Sequence, residues 1–209
     1  MATLERLKGD KSQWQFFRSF AEEKGFAMNI SFVTAKVSND EIYDAFFNKT
    51  PKYKLKDIDG FARQAQSIYM DRLNVCAQKG LKASEAHAIA TKSDKFADIM
   101  KSAQRETLEY IEGKLYDDYK KSSYYSNYVE TQVDGGALYS ALKFPKEAAK
   151  DLAWAKVMLI LGNKAGATKA AQSAIGIKVN KADKRDGQRI PTTADVITSL
   201  ERIKIKVDP

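Results

Sequence analysis

The sequence predicts a mainly α-helical fold with a small minor β-sheet of two or three short strands. Three observations carry this expectation. Apolar residues recur at three- and four-residue steps through the first two-thirds of the chain, glycines and N-cap residues punctuate those stretches, and three short segments alternate apolar with polar residues.

Taken in order, Trp14, Phe17, Phe20 and Ala21 define an amphipathic helix over residues 12–24, and Gly25 stops it. The period then changes. Met28, Ile30 and Phe32 alternate with Asn29 and Ser31, which is the pattern of a half-buried strand. Ser38 with Glu41 three residues on is a capping box opening a short helix that carries Ile42, Phe46 and Phe47 and closes at Pro51. From Asp57 to Lys79 a long helix aligns Ile58, Phe61, Ala65, Ile68, Tyr69, Leu73 and Cys76 in one stripe and ends at Gly80.

Two further helices are expected at residues 83–91 and 94–112, the second capped by Ser93 or Asp94. Beyond a tyrosine-rich stretch, Pro145 opens a helix that ends at Gly162, and an Ala-rich helix follows over about 165–174. Ile175, Ile177 and Val179 alternate, as do Ile203, Ile205 and Val207, so two short strands are expected to bracket a helix starting near Thr192 or Thr193.

A Gly-Gly turn at residues 133–137 marks the expected domain boundary. It separates a helical, aromatic-rich domain, 1–134, from a basic helical or αβ segment, 135–209. If the strand near residue 30 shares a sheet with the C-terminal strands, the two pack as one domain.

Net charge is +8, and its placement says more than its size: residues 1–134 hold 21 Lys and Arg against 20 Asp and Glu, whereas residues 135–209 hold 14 against 7. That imbalance favours an anionic partner. The N-terminal residues carry charges where a signal peptide needs an apolar stretch, and the longest apolar run, residues 152–161, is half a membrane span and contains Lys156. A soluble protein of the cytoplasm or another reducing intracellular compartment is expected. A single cysteine, Cys76, excludes an internal disulfide, and its place on a helical stripe makes it a buried structural thiol.

Residues 114–130, KLYDDYKKSSYYSNYVE, hold five tyrosines. If residues 107–130 form one helix, Ile111, Leu115, Tyr119 and Val129 make a core face. Tyr110, Tyr124 and Tyr128 then lie on the opposite side, flanked by Lys120 and Lys121. Two apolar faces mean either a helix sandwiched between neighbours or a platform for stacking and protein contact.

No catalytic set is legible. His87 is the lone histidine and lacks the partners of a zinc or protease motif, and GNKAGATKAA at 162–171 lacks the ending of a phosphate-binding loop. Glu112-Gly113-Lys114 matches half of a nuclease metal motif but stands in a helix. Residues 170–181 have the look of a helix-turn-helix with Gly176 at the turn, but glutamine stands where a small residue should pack. No cofactor and no metal are expected.

The strongest candidate is KADKRDGQR at 181–189, where clustered cations in a loop can meet phosphates. Lys178, Lys181, Lys184, Arg185 and Arg189 are therefore the expected nucleic-acid contacts, to DNA or RNA. The chain reads as a non-catalytic accessory protein that binds the phosphate backbone. The competing expectation is a structural or adaptor protein that meets another protein or a second copy through its aromatic helix surface.

Overall fold

The computed structural model describes residues 3–48, 55, 59–181, 190–205 and 207. Among them are twelve α-helices, a π-helical turn and a short 3-10 turn. They fall into two compact units, Met1–Lys120 and Lys121–Pro209.

The first unit holds α1 (Thr3–Gly9), α2 (Lys11–Glu23), α3 (Ala27–Thr34), α4 (Asn39–Ile42), the π turn Tyr43–Phe47, α5 (Asp59–Gln78), α6 (Ala83–Thr91) and α7 (Asp94–Lys120). The 27 residues of α7 span about 40 Å and form its spine. Phe96, Met100, Ala103, Thr107, Leu108, Ile111, Leu115 and Tyr119 are buried along it, at the three- and four-residue steps of one helix face.

Neighbours dock on that face in sequence. Tyr43 of the π turn meets Phe96 near the start of α7, with ring centroids 5.7 Å apart. Midway, Gln104 Nε2 donates to the Phe32 carbonyl of α3 at 3.0 Å. Glu112 accepts from the Leu4 amide of α1 at 3.2 Å. At the far end Tyr119 packs edge-on against Phe17 of α2, centroids 5.2 Å apart.

Local chemistry sets the helix ends. Asp10 caps α2 by accepting from the amides of Ser12 and Gln13 at 2.9 and 3.0 Å, a contribution of about 1 kcal/mol. Gly25 ends that helix at φ 81°, a conformation glycine adopts without a Cβ penalty. The Ser38–Glu41 capping box is present, with Ser38 N donating to Glu41 at 3.0 Å. Cys76 is buried, as its stripe implies.

The second unit holds α8 (Ser123–Thr131), α9 (Gly135–Ala141), the 3-10 turn Lys146–Ala148, α10 (Ala149–Ile160), α11 (Lys164–Lys181) and α12 (Thr193–Arg202). Leu138, Phe144, Leu152, Ala155, Val196 and Leu200 centre its core. The buried alanines of α11, Ala167, Ala170, Ala171 and Ala174, are small enough to let α10 and α11 lie close together.

The expected β-sheet is absent: no strand occurs among the described residues. Residues 28–32 lie inside α3, where Phe26, Ile30 and Val33 supply helical spacing and Asn29 and Phe32 are buried beside them. Ile175, Ile177 and Val179 lie inside α11, which runs unbroken through Gly176 and so also removes the helix-turn-helix resemblance. Ile203 leaves α12 extended and packs on the core without a partner strand. With no second strand to pair with, an extended segment leaves its amides unsatisfied, whereas a helix satisfies them internally.

The units divide after Lys120, ahead of the double glycine, which opens a helix. Gly135 and Gly136 begin α9, with Asp134 accepting from the amides of Gly136 and Ala137 at 2.8 and 3.2 Å. A Cβ on Gly135 would stand 2.6 Å from the Ala149 carbonyl oxygen, so glycine is there for a close approach between elements.

Candidate nucleic-acid interface

Separating the units concentrates the charge. Lys121–Pro209 carries 15 Lys and Arg against 9 Asp and Glu, and Met1–Lys120 carries 20 against 18. The excess belongs to the second unit, and one corner of it gathers much of that charge.

That corner starts at the end of α9. Lys143 adopts φ 53°, the left-handed conformation of a helix C-terminal turn, and the Phe144 amide returns to the Tyr139 carbonyl at 2.8 Å. The turn leaves the Lys143 carbonyl facing α11, where Lys178 Nζ donates to it at 3.0 Å. The same ammonium lies 4.6 Å from the centroid of the Phe144 ring, a cation–π distance.

One turn further along α11, Lys181 pairs with Glu147 of the 3-10 turn. The hydrogen bond from Lys181 holds the Glu147 carboxyl below its usual range, helped by its own backbone amide and by the charge of Lys146. The Lys178–Lys143 and Lys181–Glu147 contacts thus bring segment 143–147, with Lys143 and Lys146, against the end of α11. A cleft of about 130 Å³ adjoins Lys178, lined also by Leu142, Phe144, Pro191, Asp195, Val196 and Ser199.

Of the five residues expected to meet nucleic acid, Lys178 and Lys181 are in this corner, each with a partner inside the chain. Lys184, Arg185 and Arg189 lie outside the described residues. Lys143 and Lys146 were not legible as members, because only the fold of α9 and the 3-10 turn against α11 brings them to it.

The continuous tyrosine-bearing helix over residues 107–130 is corrected. The helix breaks after Lys120, and Ser122 caps α8 by accepting from the Tyr125 amide at 3.4 Å, so Tyr110 stands in one unit and Tyr124 and Tyr128 in the other. Tyr128 is 1% exposed and offers no face to a base or a partner. Tyr110 packs against Phe26, centroids 6.1 Å apart, and lies under Lys114. Lys120 sits over Tyr116 at 5.4 Å, and Lys121 is an exposed residue of the break.

His87 has more company than its sequence context implies. Tyr69 Oη lies 2.8 Å from His87 Nδ1, Asp44 Oδ2 lies 3.8 Å from Nε2, and Tyr43 stacks on Tyr69 at 4.2 Å. Burial pushes both phenols up, Tyr43 to about 12, so they stay protonated and unactivated as nucleophiles. These four residues tie α5, α6 and the π turn together. No group of side chains able to hold a metal ion occurs among the described residues, and no helix there is long and apolar enough to cross a membrane.

Compared with family models, curated proteins and solved structures, this chain matches none.

Proposed function

We propose that this chain is a non-catalytic nucleic-acid-associated protein that holds the phosphate backbone through the basic corner of its second unit. The observation that carries this reading is the packing of segment 143–147, with Lys143 and Lys146, against the end of α11, with Lys178 and Lys181, where Glu147 and Asp195 are the nearby carboxylates. Four lysines against two carboxylates leave a local surplus of positive charge, which attracts polyanions and releases their counterions on contact.

The interactions within the corner are compatible with that role. Lys178 is held by a carbonyl and a ring, which position it without neutralising it. Lys181 shares Glu147 in an exposed, water-screened pair, and a phosphate competes for it. Backbone binding of this kind is strongly salt-dependent and nearly indifferent to sequence.

Fluorescence anisotropy with labelled single- and double-stranded DNA and RNA over a range of salt tests the reading. The double variant Lys143→Glu/Lys146→Glu is expected to weaken every complex and to flatten the salt dependence. An absence of binding at the lowest salt, or identical curves for wild type and variant, contradicts it.

A further inference from the structure

Trp154 stands in the middle of α10 with 43% of its surface exposed, whereas Leu152 and Ala155 beside it are wholly buried. Tryptophan is among the most buried residue types on average, so an indole left outside on a rigid helix adds little to the core and is available to a ligand. The other tryptophan, Trp14, is stacked on Phe17 at 5.7 Å.

The surroundings of Trp154 follow from the packing of α11 on α10. Ser173 Oγ donates to Asp151 Oδ2 at 2.7 Å, and Lys181 pairs with Glu147, so the two helices run antiparallel along this flank. Lys150 and Asp151 stand one turn before Trp154 on the same face of α10, Lys150 being about 6 Å away along the axis. Counting back one turn along α11 from Ser173 brings Lys169 to the level of Trp154.

Lys146, Lys150 and Lys169 are exposed, and none is ion-paired among the described residues. The two carboxylates on the flank are both engaged, Asp151 by Ser173 and Glu147 by Lys181. Helical spacing therefore puts Lys150 one turn before the indole on α10 and Lys169 at its level on α11, with Lys146 toward the basic corner.

We infer that Trp154 is the stacking platform for an unpaired base, which makes single-stranded nucleic acid the preferred ligand of this unit. Lys150 and Lys169 hold the phosphates on either side of the stacked nucleotide, and Lys146 and Lys181 hold the next ones along. The indole face accepts any base, so the preference is for strandedness and not for sequence, because a duplex has no base face to offer. The inference rests on the reading that the second unit binds nucleic acid.

The test uses the full chain carrying Trp14→Phe, in which Trp154 is the sole indole, titrated with oligothymidylate and with a blunt duplex while tryptophan emission is followed. If Trp14→Phe disturbs the first unit, the difference between wild type and Trp154→Ala reports the same indole. Quenching by the single strand and not by the duplex is expected. Trp154→Ala is expected to weaken single-strand binding by about 5- to 150-fold and to leave duplex binding unchanged, with Trp154→Phe retaining most of the affinity.

Single-strand binding that leaves Trp154 emission and the Trp154→Ala affinity unaltered overturns the inference while the backbone reading stands. Loss of a self-associated species in Trp154→Ala by light scattering, with nucleic-acid affinity intact, assigns the indole to a protein contact and also overturns it. Failure of both nucleic acids to bind the wild type overturns the backbone reading as well.

Discussion

Lys156 Nζ donates a 2.7 Å hydrogen bond to the carbonyl oxygen of Leu200, so a lysine buried in α10 closes the C-terminal end of α12. A cation at that end of a helix meets the negative pole of its dipole and one of its last unsatisfied carbonyls. Its stem packs among apolar neighbours, which explains a lysine inside the longest apolar run of the chain. Lys156→Ala removes the donor and the stem together and is expected to destabilise the second unit by about 2–4 kcal/mol in denaturant unfolding.

Burial also lowers the Lys156 pKa, partly offset by the nearby charge of Glu201. Between the depressed folded value and the usual lysine value the unfolded chain binds more protons, so this group adds stability as pH rises through that window. The neutral amine still donates to Leu200. Denaturant midpoints of wild type and Lys156→Met, measured from neutral pH to about 10, are expected to diverge in favour of the wild type as pH rises.

Two glycines should respond oppositely to the same change. A Cβ on Gly135 meets the Ala149 carbonyl at 2.6 Å and Ala153 Cβ at 3.2 Å, so Gly135→Ala is expected to cost about 1–3 kcal/mol. Gly113 lies within α7 with nothing within 4 Å of the added carbon, and Gly113→Ala should stabilise by about 0.5–1 kcal/mol. Thermal melts of the two variants against wild type check both signs.

Stability and binding should separate at Lys143. Its left-handed conformation, φ 53°, is strained for a residue with a Cβ, so Lys143→Gly is expected to raise stability by roughly 0.5–1 kcal/mol. The carbonyl that receives Lys178 is backbone and survives the change. Removing the ammonium should nonetheless weaken nucleic-acid binding. A variant that melts higher and binds less identifies the side chain as a phosphate ligand and its backbone as a turn.

Helices were legible wherever apolar spacing was long, as in α2, expected over residues 12–24 and ended by Gly25, and along Phe96 to Ile111 of α7. Short alternating runs misled, because Met28, Ile30 and Phe32 satisfy a two-residue period while Phe26, Ile30 and Val33 satisfy the helical one, and packing against α7 selects the second. The tyrosines divided at Ser122, a capping residue whose signal competed with a continuous periodicity. Charge excess was visible in the composition, but Lys143 and Lys146 join Lys178 and Lys181 only through tertiary folding, and nothing in residue order announces that Trp154 faces outward. Lys184, Arg185 and Arg189 fall outside the described residues.

The most direct measurement of the backbone reading is the slope of log affinity against log salt for the full chain and for Lys146→Glu, a variant that leaves the partners of Lys178 in place. Steep linear slopes are expected for wild type, reduced in the variant by about 0.7 on single strands and about 0.9 on duplex for each phosphate no longer neutralised. Slopes that coincide for the two proteins, or a wild type that binds neither form at low salt, would contradict it.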